Sequence, residues 1–193
     1  MNHLFHILFL TLILCGCERK DSPQESSVSE ALGARVIGYR FSIPGNDEPN
    51  TPRESGFSLI NRSGALDQDL LRELKVKEAL LTDDQVERLG KAVYGVHPVT
   101  NAAACYDPHH IFVFYDENGN VAKSVEICFS CLNIQTSPGL QESQWRRHDF
   151  RNLARLCDEI GIGMTSKTAE DFIKFWDSID RLGSFKNEDN KPE

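Results

Sequence analysis

Two apolar segments, residues 111–115 and 121–129, are separated by a short polar stretch with Asn118-Gly119 at its centre. Asn-Gly is the dipeptide most typical of a two-residue type I′ turn, because both turn positions need a positive φ. The apolar segments are rich in β-branched and aromatic residues, which favour extended strands. The pattern therefore predicts a β-hairpin over about residues 111–129, in a fold that contains an antiparallel sheet.

The turn also sets which residues face each other across the predicted hairpin. With Asn118 and Gly119 as the turn residues, the facing pairs are Tyr115 with Ala122, Val113 with Ser124, Ile111 with Glu126, and His109 with Cys128. Facing side chains share one side of a sheet. The opposite, more apolar side carries Phe112, Phe114, Val121, Val125 and Ile127. We expect that side to be the core and the side with Glu126 to be exposed to solvent.

The same register brings four potential ligands or nucleophiles to one end of the hairpin: Cys105, Cys128, Cys131 and His109. One interpretation is a structural disulfide from Cys105 to Cys128 or Cys131, since neighbouring strand ends supply the required Cα separation. A second is a zinc site, because Cys-x-x-Cys supplies half of the usual four ligands. A third is a redox dithiol, although such pairs normally precede a helix and residues 132–139 are predicted as a loop.

Two further side chains have more than one interpretation. Glu126 lies inside an otherwise apolar strand, where it is either a solvated residue or an acid–base partner of His109 in a hydrolase. The second role requires both groups to be within reach, with tuned pKa values. Cys157 falls on the apolar side of a predicted helix, which is typical of a buried, unreactive thiol.

The amino terminus has the organisation of an export signal. Residues 7–14 are almost wholly apolar but too few to span a bilayer, and Leu14-Cys15-Gly16-Cys17 and a charged run follow. Leu14 to Cys17 resembles the lipobox of bacterial lipoproteins. The resemblance implies that residues 1–16 are a signal peptide and that Cys17 carries acyl chains such as palmitate. Glu18, rather than Asp, then implies an anchor on the periplasmic face of the outer membrane.

Composition narrows the set of partners. The signal contains no Asp, Glu, Lys or Arg, so the net charge of −8 belongs to the mature chain. An acidic domain is poorly suited to nucleic acid or to anionic headgroups. With Cys17 blocked by lipid, the thiols left in an oxidising compartment are Cys105, Cys128, Cys131 and Cys157, a number that favours at least one disulfide.

The remaining pattern predicts an α+β domain, with a small antiparallel sheet and helices packed on one face. Residues 37–43 alternate as a half-buried strand does, and residues 67–81 fit a helix followed by a strand. Residues 82–85, Thr-Asp-Asp-Gln, form a capping-box sequence at the start of another helix. Two more helices are predicted, one over 149–160 and one from Thr168 that ends at Gly183.

These elements divide the chain into four parts. Residues 1–16 are the signal, residues 17–33 a polar, lipidated flexible tether, residues 34–184 a single domain and residues 185–193 a disordered tail. Residues 105–131 are similar to a pattern of small, uncharacterised exported bacterial proteins, and that resemblance implies no activity. Phosphate-binding glycine loops and serine-nucleophile elbows are missing from the sequence.

The sequence therefore favours a non-enzymatic protein without a cofactor. It predicts a lipoprotein held at the membrane by its lipid anchor, whose disulfide-stabilised domain binds an unidentified envelope protein or ligand. The alternative is a metal-binding or thiol-redox module centred on Cys105, Cys128, Cys131 and His109, with zinc as the metal.

Overall fold

The fold is given by a computed structural model that describes residues 35–43, 56–98, 105–137, 148–165 and 167–188. The strands are β1 (Arg35–Phe41), β2 (Lys75–Leu80), β3 (His110–Tyr115), β4 (Val121–Cys128) and β5 (Asn133–Ser137). The helices are α1 (Gln68–Leu74), α2 (Asp83–Tyr94), α3 (Phe150–Glu159) and α4 (Ala169–Glu188). The predicted signal peptide, Cys17 and the tether lie outside these residues. No helix in the described ranges has the length and apolar character needed to cross a membrane.

The five strands form one antiparallel sheet in the order β2-β1-β3-β4-β5. Together with the four helices, this sheet confirms the predicted α+β class. Residues 133–137 form the edge strand β5, so the expectation of a loop there is wrong. Asn133, Gln135 and Ser137 favour a loop, and only Ile134 and Thr136 favour a strand, so pairing with the backbone of β4 decides the conformation.

The β3–β4 hairpin has the predicted register over most of its length. Val113 faces Ser124 and Ile111 faces Glu126, as expected. Near the turn the register shifts by one residue, so that Tyr115 faces Val121. The expected pairing of Tyr115 with Ala122 is therefore wrong, and a β-bulge accommodates the extra residue.

The turn itself differs from the expected two-residue type I′ turn. The Asp116 N–H donates to the carbonyl oxygen of Asn120, which leaves three residues between them. Of these only Gly119 has a positive φ, of 81°. The Asp116 carboxylate holds the loop by accepting from the N–H groups of Asn118 and Asn120. A three-residue loop with glycine in the left-handed position is the next most common hairpin connection, and its bulge restores the register.

Helices α2, α3 and α4 cover the side of the sheet that was predicted to be the core. The largest fully buried side chains there are Phe112, Phe114, Leu89, Ile127, Leu153, Leu156 and Ile162. The predicted capping box starts α2: Thr82 Oγ1 accepts from the Gln85 N–H, and Gln85 Oε1 accepts from the Thr82 N–H. The predicted end of the last helix at Gly183 is wrong, because α4 continues to Glu188.

The opposite side of the sheet is also buried, so the expectation that the side with Glu126 is exposed is wrong. Helix α1 and residues 56–66 cover it, and Ser124 and Glu126 have no exposed surface. Tyr39, Phe41, Leu59, Leu71, Ile111 and Val113 are among the side chains of this second core. The sequence predicts a short strand over residues 57–60, but the structure has only an isolated bridge between Ile60 and Leu66 there. Nothing in the sequence indicated that this segment covers the sheet.

Candidate functional site

Cys105 and Cys131 form a disulfide at the end of the hairpin, with their Cα atoms 5.9 Å apart. The pairing resolves the choice between Cys128 and Cys131 that the sequence left open. It links the segment before β3 to the turn between β4 and β5, at a sequence separation of 26 residues. In the chain-entropy model, a loop of this length contributes about 3 kcal/mol to stability.

Cys128 is a free thiol next to this disulfide. Its Sγ accepts a hydrogen bond from the Asp107 N–H at 3.4 Å, and it lies 3.3 Å from Ser130 Oγ. The same hydroxyl lies 3.7 Å from the Sγ of Cys131. Two of the three sulfur atoms therefore surround one hydroxyl group, and the third is bonded to one of them.

Glu126 lies beside this sulfur cluster and has no exposed surface. Its Oε2 accepts from the Ser58 hydroxyl at 2.6 Å and from the Tyr106 hydroxyl at 2.9 Å, and its Oε1 accepts from the Leu59 N–H at 2.7 Å. Glu126, Ser58, Leu59 and Tyr106 together form the Glu126 cluster. Burial raises the pKa of Glu126, whereas the three donors lower it. Desolvation is the larger effect, so the pKa lies above its usual value.

The Glu126 cluster connects the covering segment to the disulfide. Tyr106 follows Cys105 directly and donates its hydroxyl to Glu126, while its carbonyl oxygen accepts from the Gly56 N–H at 3.2 Å. Burial and the neighbouring carboxylate raise the pKa of Tyr106, which therefore keeps its proton as a donor. Ser58 and Leu59 hold the covering segment to the same carboxylate. The cluster thus joins three separate parts of the chain.

His109 belongs to the same end of the hairpin but is held by other groups. Its Nδ1 lies 3.3 Å from the Phe41 carbonyl oxygen, and its Nε2 lies 3.6 Å from Asp107 Oδ1. Its ring stacks on the Phe41 ring at a centroid distance of 6.3 Å. The polar partners of His109 are therefore Phe41 and Asp107, not Glu126 or Cys128, and this arrangement gives no direct proton path between His109 and Glu126.

The zinc hypothesis does not fit these donors. Zinc binds deprotonated cysteine, and the disulfide already uses Cys105 and Cys131. Within the described ranges, no three side chains of His, Cys, Asp or Glu are grouped so as to hold a metal ion. Cys128 is the one thiol left at this end of the hairpin. This end of the hairpin therefore holds one disulfide and one free thiol.

Cys157 lies on α3, in the core on the other side of the sheet, and is fully buried, as the sequence predicted. Burial raises the pKa of its thiol, which makes it a poor nucleophile. Ser58, Leu59 and Tyr106 were not predicted as members of the site. Tyr106 could have been found because it adjoins Cys105, but Ser58 lies in a segment whose sequence carries no such signal.

Comparison with known proteins does not add to this description. No family model matches the chain, and neither the curated proteins nor the solved structures contain a match. The resemblance of the amino terminus to a lipobox and that of residues 105–131 to exported proteins therefore stay predictions.

Proposed function

We propose that this protein is a lipoprotein, anchored through Cys17 to the periplasmic face of the outer membrane, whose α+β domain binds another component of the envelope. The observation that carries the proposal is the Cys105–Cys131 disulfide in a chain whose Leu14-Cys15-Gly16-Cys17 resembles a lipobox. Structural disulfides persist in the oxidising compartments that exported proteins reach. The lipobox and the disulfide are independent features, and both favour the same location.

Two observations favour binding over catalysis. Each oxygen of the buried Glu126 carboxylate already accepts a hydrogen bond from the protein, and His109 has other partners. Several large apolar side chains are exposed instead, namely Val76 and Leu80 on β2 and Phe175 and Ile179 on α4. Phe175 and Ile179 lie one turn apart on α4, and neighbouring exposed apolar side chains are typical of surfaces that bind other proteins.

The anchor is tested by cell fractionation of Cys17→Ser. We expect the full chain to sediment with the outer membrane and Cys17→Ser to lose this association, because the thiol that receives the lipid is gone. Cys15→Ser is the matched control, since the residues before Cys15 do not provide a small residue at the cleavage position. Membrane association that survives Cys17→Ser but not Cys15→Ser would contradict the proposed anchor.

The binding role is tested by photo-crosslinking in cells. A photoreactive amino acid is placed at Leu80 or Phe175, which are 64% and 46% exposed. Glu73 and Glu170, which are exposed but charged, serve as control positions. We expect discrete adducts from at least one apolar position and none from the controls. Absence of adducts at all four positions would count against a stable envelope partner.

A further inference from the structure

We propose that Cys128 exchanges with the Cys105–Cys131 disulfide and thereby presents Cys105 as a thiol to a partner protein that carries an accessible disulfide. This inference goes beyond the binding role and does not require the lipid anchor. A purely structural disulfide needs only Cys105 and Cys131. The proposed exchange also gives a role to Cys128, the third cysteine at this end of the hairpin.

The first observation behind the proposal is the grouping of the sulfur atoms. Ser130 Oγ lies 3.3 Å from the Sγ of Cys128 and 3.7 Å from the Sγ of Cys131. Cys128 and Cys131 are separated by two residues, and Leu132, directly after them, has a positive φ of 48°. The turn therefore bends the chain back at this pair. Cys-x-x-Cys is a spacing at which thiol–disulfide exchange occurs in proteins.

The second observation is the difference in exposure between the three cysteines. Cys128 and Cys131 are 0% and 1% exposed, whereas Cys105 is exposed. Exchange between the two buried cysteines is thus shielded from external thiols, and the thiol that it releases belongs to an exposed residue. A partner can reach Cys105 without entering the domain.

The third observation concerns the attacking sulfur. The Asp107 N–H donates to the Sγ of Cys128 at 3.4 Å, and the Ser130 hydroxyl lies within hydrogen-bonding distance of it. Both groups can donate to a thiolate, the form of cysteine that attacks a disulfide. Ser130 is exposed at the surface, which gives solvent a route by which the Cys128 proton can leave.

The proposed step balances without an added oxidant or reductant. Cys128 loses its proton to water, and its thiolate attacks the Sγ of Cys131. The Cys128–Cys131 bond forms as the Cys105–Cys131 bond breaks, and the electron pair leaves on Cys105, which takes up a proton from water. One disulfide and one thiol exist before and after the step. The released Cys105 can then attack a disulfide of the partner: the mixed disulfide forms as the partner's own disulfide bond breaks, and the partner's second sulfur leaves as a thiolate that takes up a proton from water.

The exchange is tested by trapping the Cys105 thiol in the folded, full-length protein. The protein is incubated with a maleimide under non-reducing native conditions and mapped by peptide mass spectrometry over time. We expect label on Cys105 together with a Cys128–Cys131 disulfide in the same molecules. Labelling of Cys105 should be at least about tenfold faster than that of Cys157, whose exposure requires the core to open.

Cys128→Ser is the decisive variant, because serine keeps a group that can accept from the Asp107 N–H but cannot attack a disulfide. We expect it to leave Cys105 unlabelled, while Cys157→Ala, which removes the thiol on α3, leaves Cys105 labelling unchanged.

The Cys128–Cys131 peptide in the unmutated protein gives a readout that does not depend on the folding of any variant. Mapping also distinguishes attack by Cys128 from attack by Cys15 or Cys17. Labelling of Cys105 no faster than Cys157, or labelling that persists in Cys128→Ser, would overturn the proposal.

Discussion

Glu126 is a carboxylate in an apolar core, and its environment explains why it can stay there. Burying a charge without a partner is costly, but hydrogen bonds from Ser58, Leu59 and Tyr106 satisfy both carboxylate oxygens. Ser58 Oγ also lies 3.0 Å from the Ile60 carbonyl oxygen. When Glu126 is protonated, it can donate to Ser58 while Ser58 donates to Ile60. The cluster can therefore remain hydrogen-bonded in both protonation states.

Replacement of Glu126 should separate its hydrogen bonds from its charge. Glu126→Ala removes the carboxylate that accepts from the Ser58 and Tyr106 hydroxyls and from the buried Leu59 N–H, and we expect it to lower the free energy of unfolding by about 3 kcal/mol. Glu126→Gln keeps an amide oxygen for the Leu59 N–H and should cost clearly less. Urea denaturation measures both values. Glu73→Ala, at an exposed position on α1, is the control and should change stability by less than about 0.5 kcal/mol.

The pH dependence of the same variants has a defined sign. The pKa of Glu126 is raised in the folded state, so the protonated form stabilises the fold fully below the unfolded pKa, and this contribution is lost as the pH rises through the folded pKa. Glu126→Gln does not titrate. Its stability relative to the unmutated protein should therefore increase as the pH rises above about 4.5. A relative stability that falls with rising pH would contradict the assigned direction of the shift.

His110 should produce the opposite slope. It is 2% exposed, and its Nε2 lies 2.8 Å from the Gly163 carbonyl oxygen, which can only accept, so Nε2 carries the hydrogen. Burial lowers the pKa of His110 to about 4. Stability from the neutral ring is complete above about pH 6.5 and is lost as the pH falls towards 4.

The size of this loss follows from the shift. It should be on the order of 3 kcal/mol, from about 1.4 kcal/mol per unit of pKa. Burial also lowers the pKa of His148, which adds a slope of the same sign. We therefore expect His110→Gln to flatten the acid limb of the stability curve relative to the unmutated protein. Unfolding curves measured at several pH values between 4 and 7 test this; an unchanged limb would contradict the prediction.

At the scale of elements, the sequence predicted the parts whose signals are local. The β3–β4 register, the helix–strand order over residues 67–81 and the Thr82 capping box all follow from periodicity, turn chemistry or capping. The strand β5 and the burial of the second side of the sheet were not predicted. Neither follows from the segment's own pattern. β5 is a strand through its pairing with the neighbouring β4, and Glu126 is covered by residues 56–66, which are distant in sequence.

Gly38 on β1 shows how closely an element can approach the sheet. A Cβ at this position would lie 2.8 Å from Ile160 Cδ1 and 2.9 Å from Phe112 Cε1. We expect Gly38→Ala to lower the free energy of unfolding by about 1–3 kcal/mol, because Phe112 is fully buried and has little room to move. Thermal or urea unfolding measures the loss. Ala122→Gly, at an exposed position on β4, is the control: it exchanges the same two residue types in a strand without a steric clash. A neutral Gly38→Ala would show that α3 can shift from the sheet.

At the scale of the whole molecule, one carboxylate and one disulfide hold the same end of the hairpin. Cys105 is linked to Cys131, and Tyr106 donates to Glu126. The sequence indicated that Cys105, Cys128 and Cys131 would gather, since that follows from the hairpin register. It could not select the pair, nor identify Ser58, because both depend on how the chain outside the hairpin packs against it.

We propose that this domain works outside the cytoplasm, held to a membrane through its first mature residue. Mass spectrometry of the amino-terminal peptide, from the protein purified from membranes without reducing agent, tests that claim most directly. The expected result is a chain that begins at Cys17 with a mass increase for a diacylglyceryl group and an added acyl chain, with the Cys105–Cys131 link intact. A chain that still begins at Met1, or an unmodified Cys17, would contradict it.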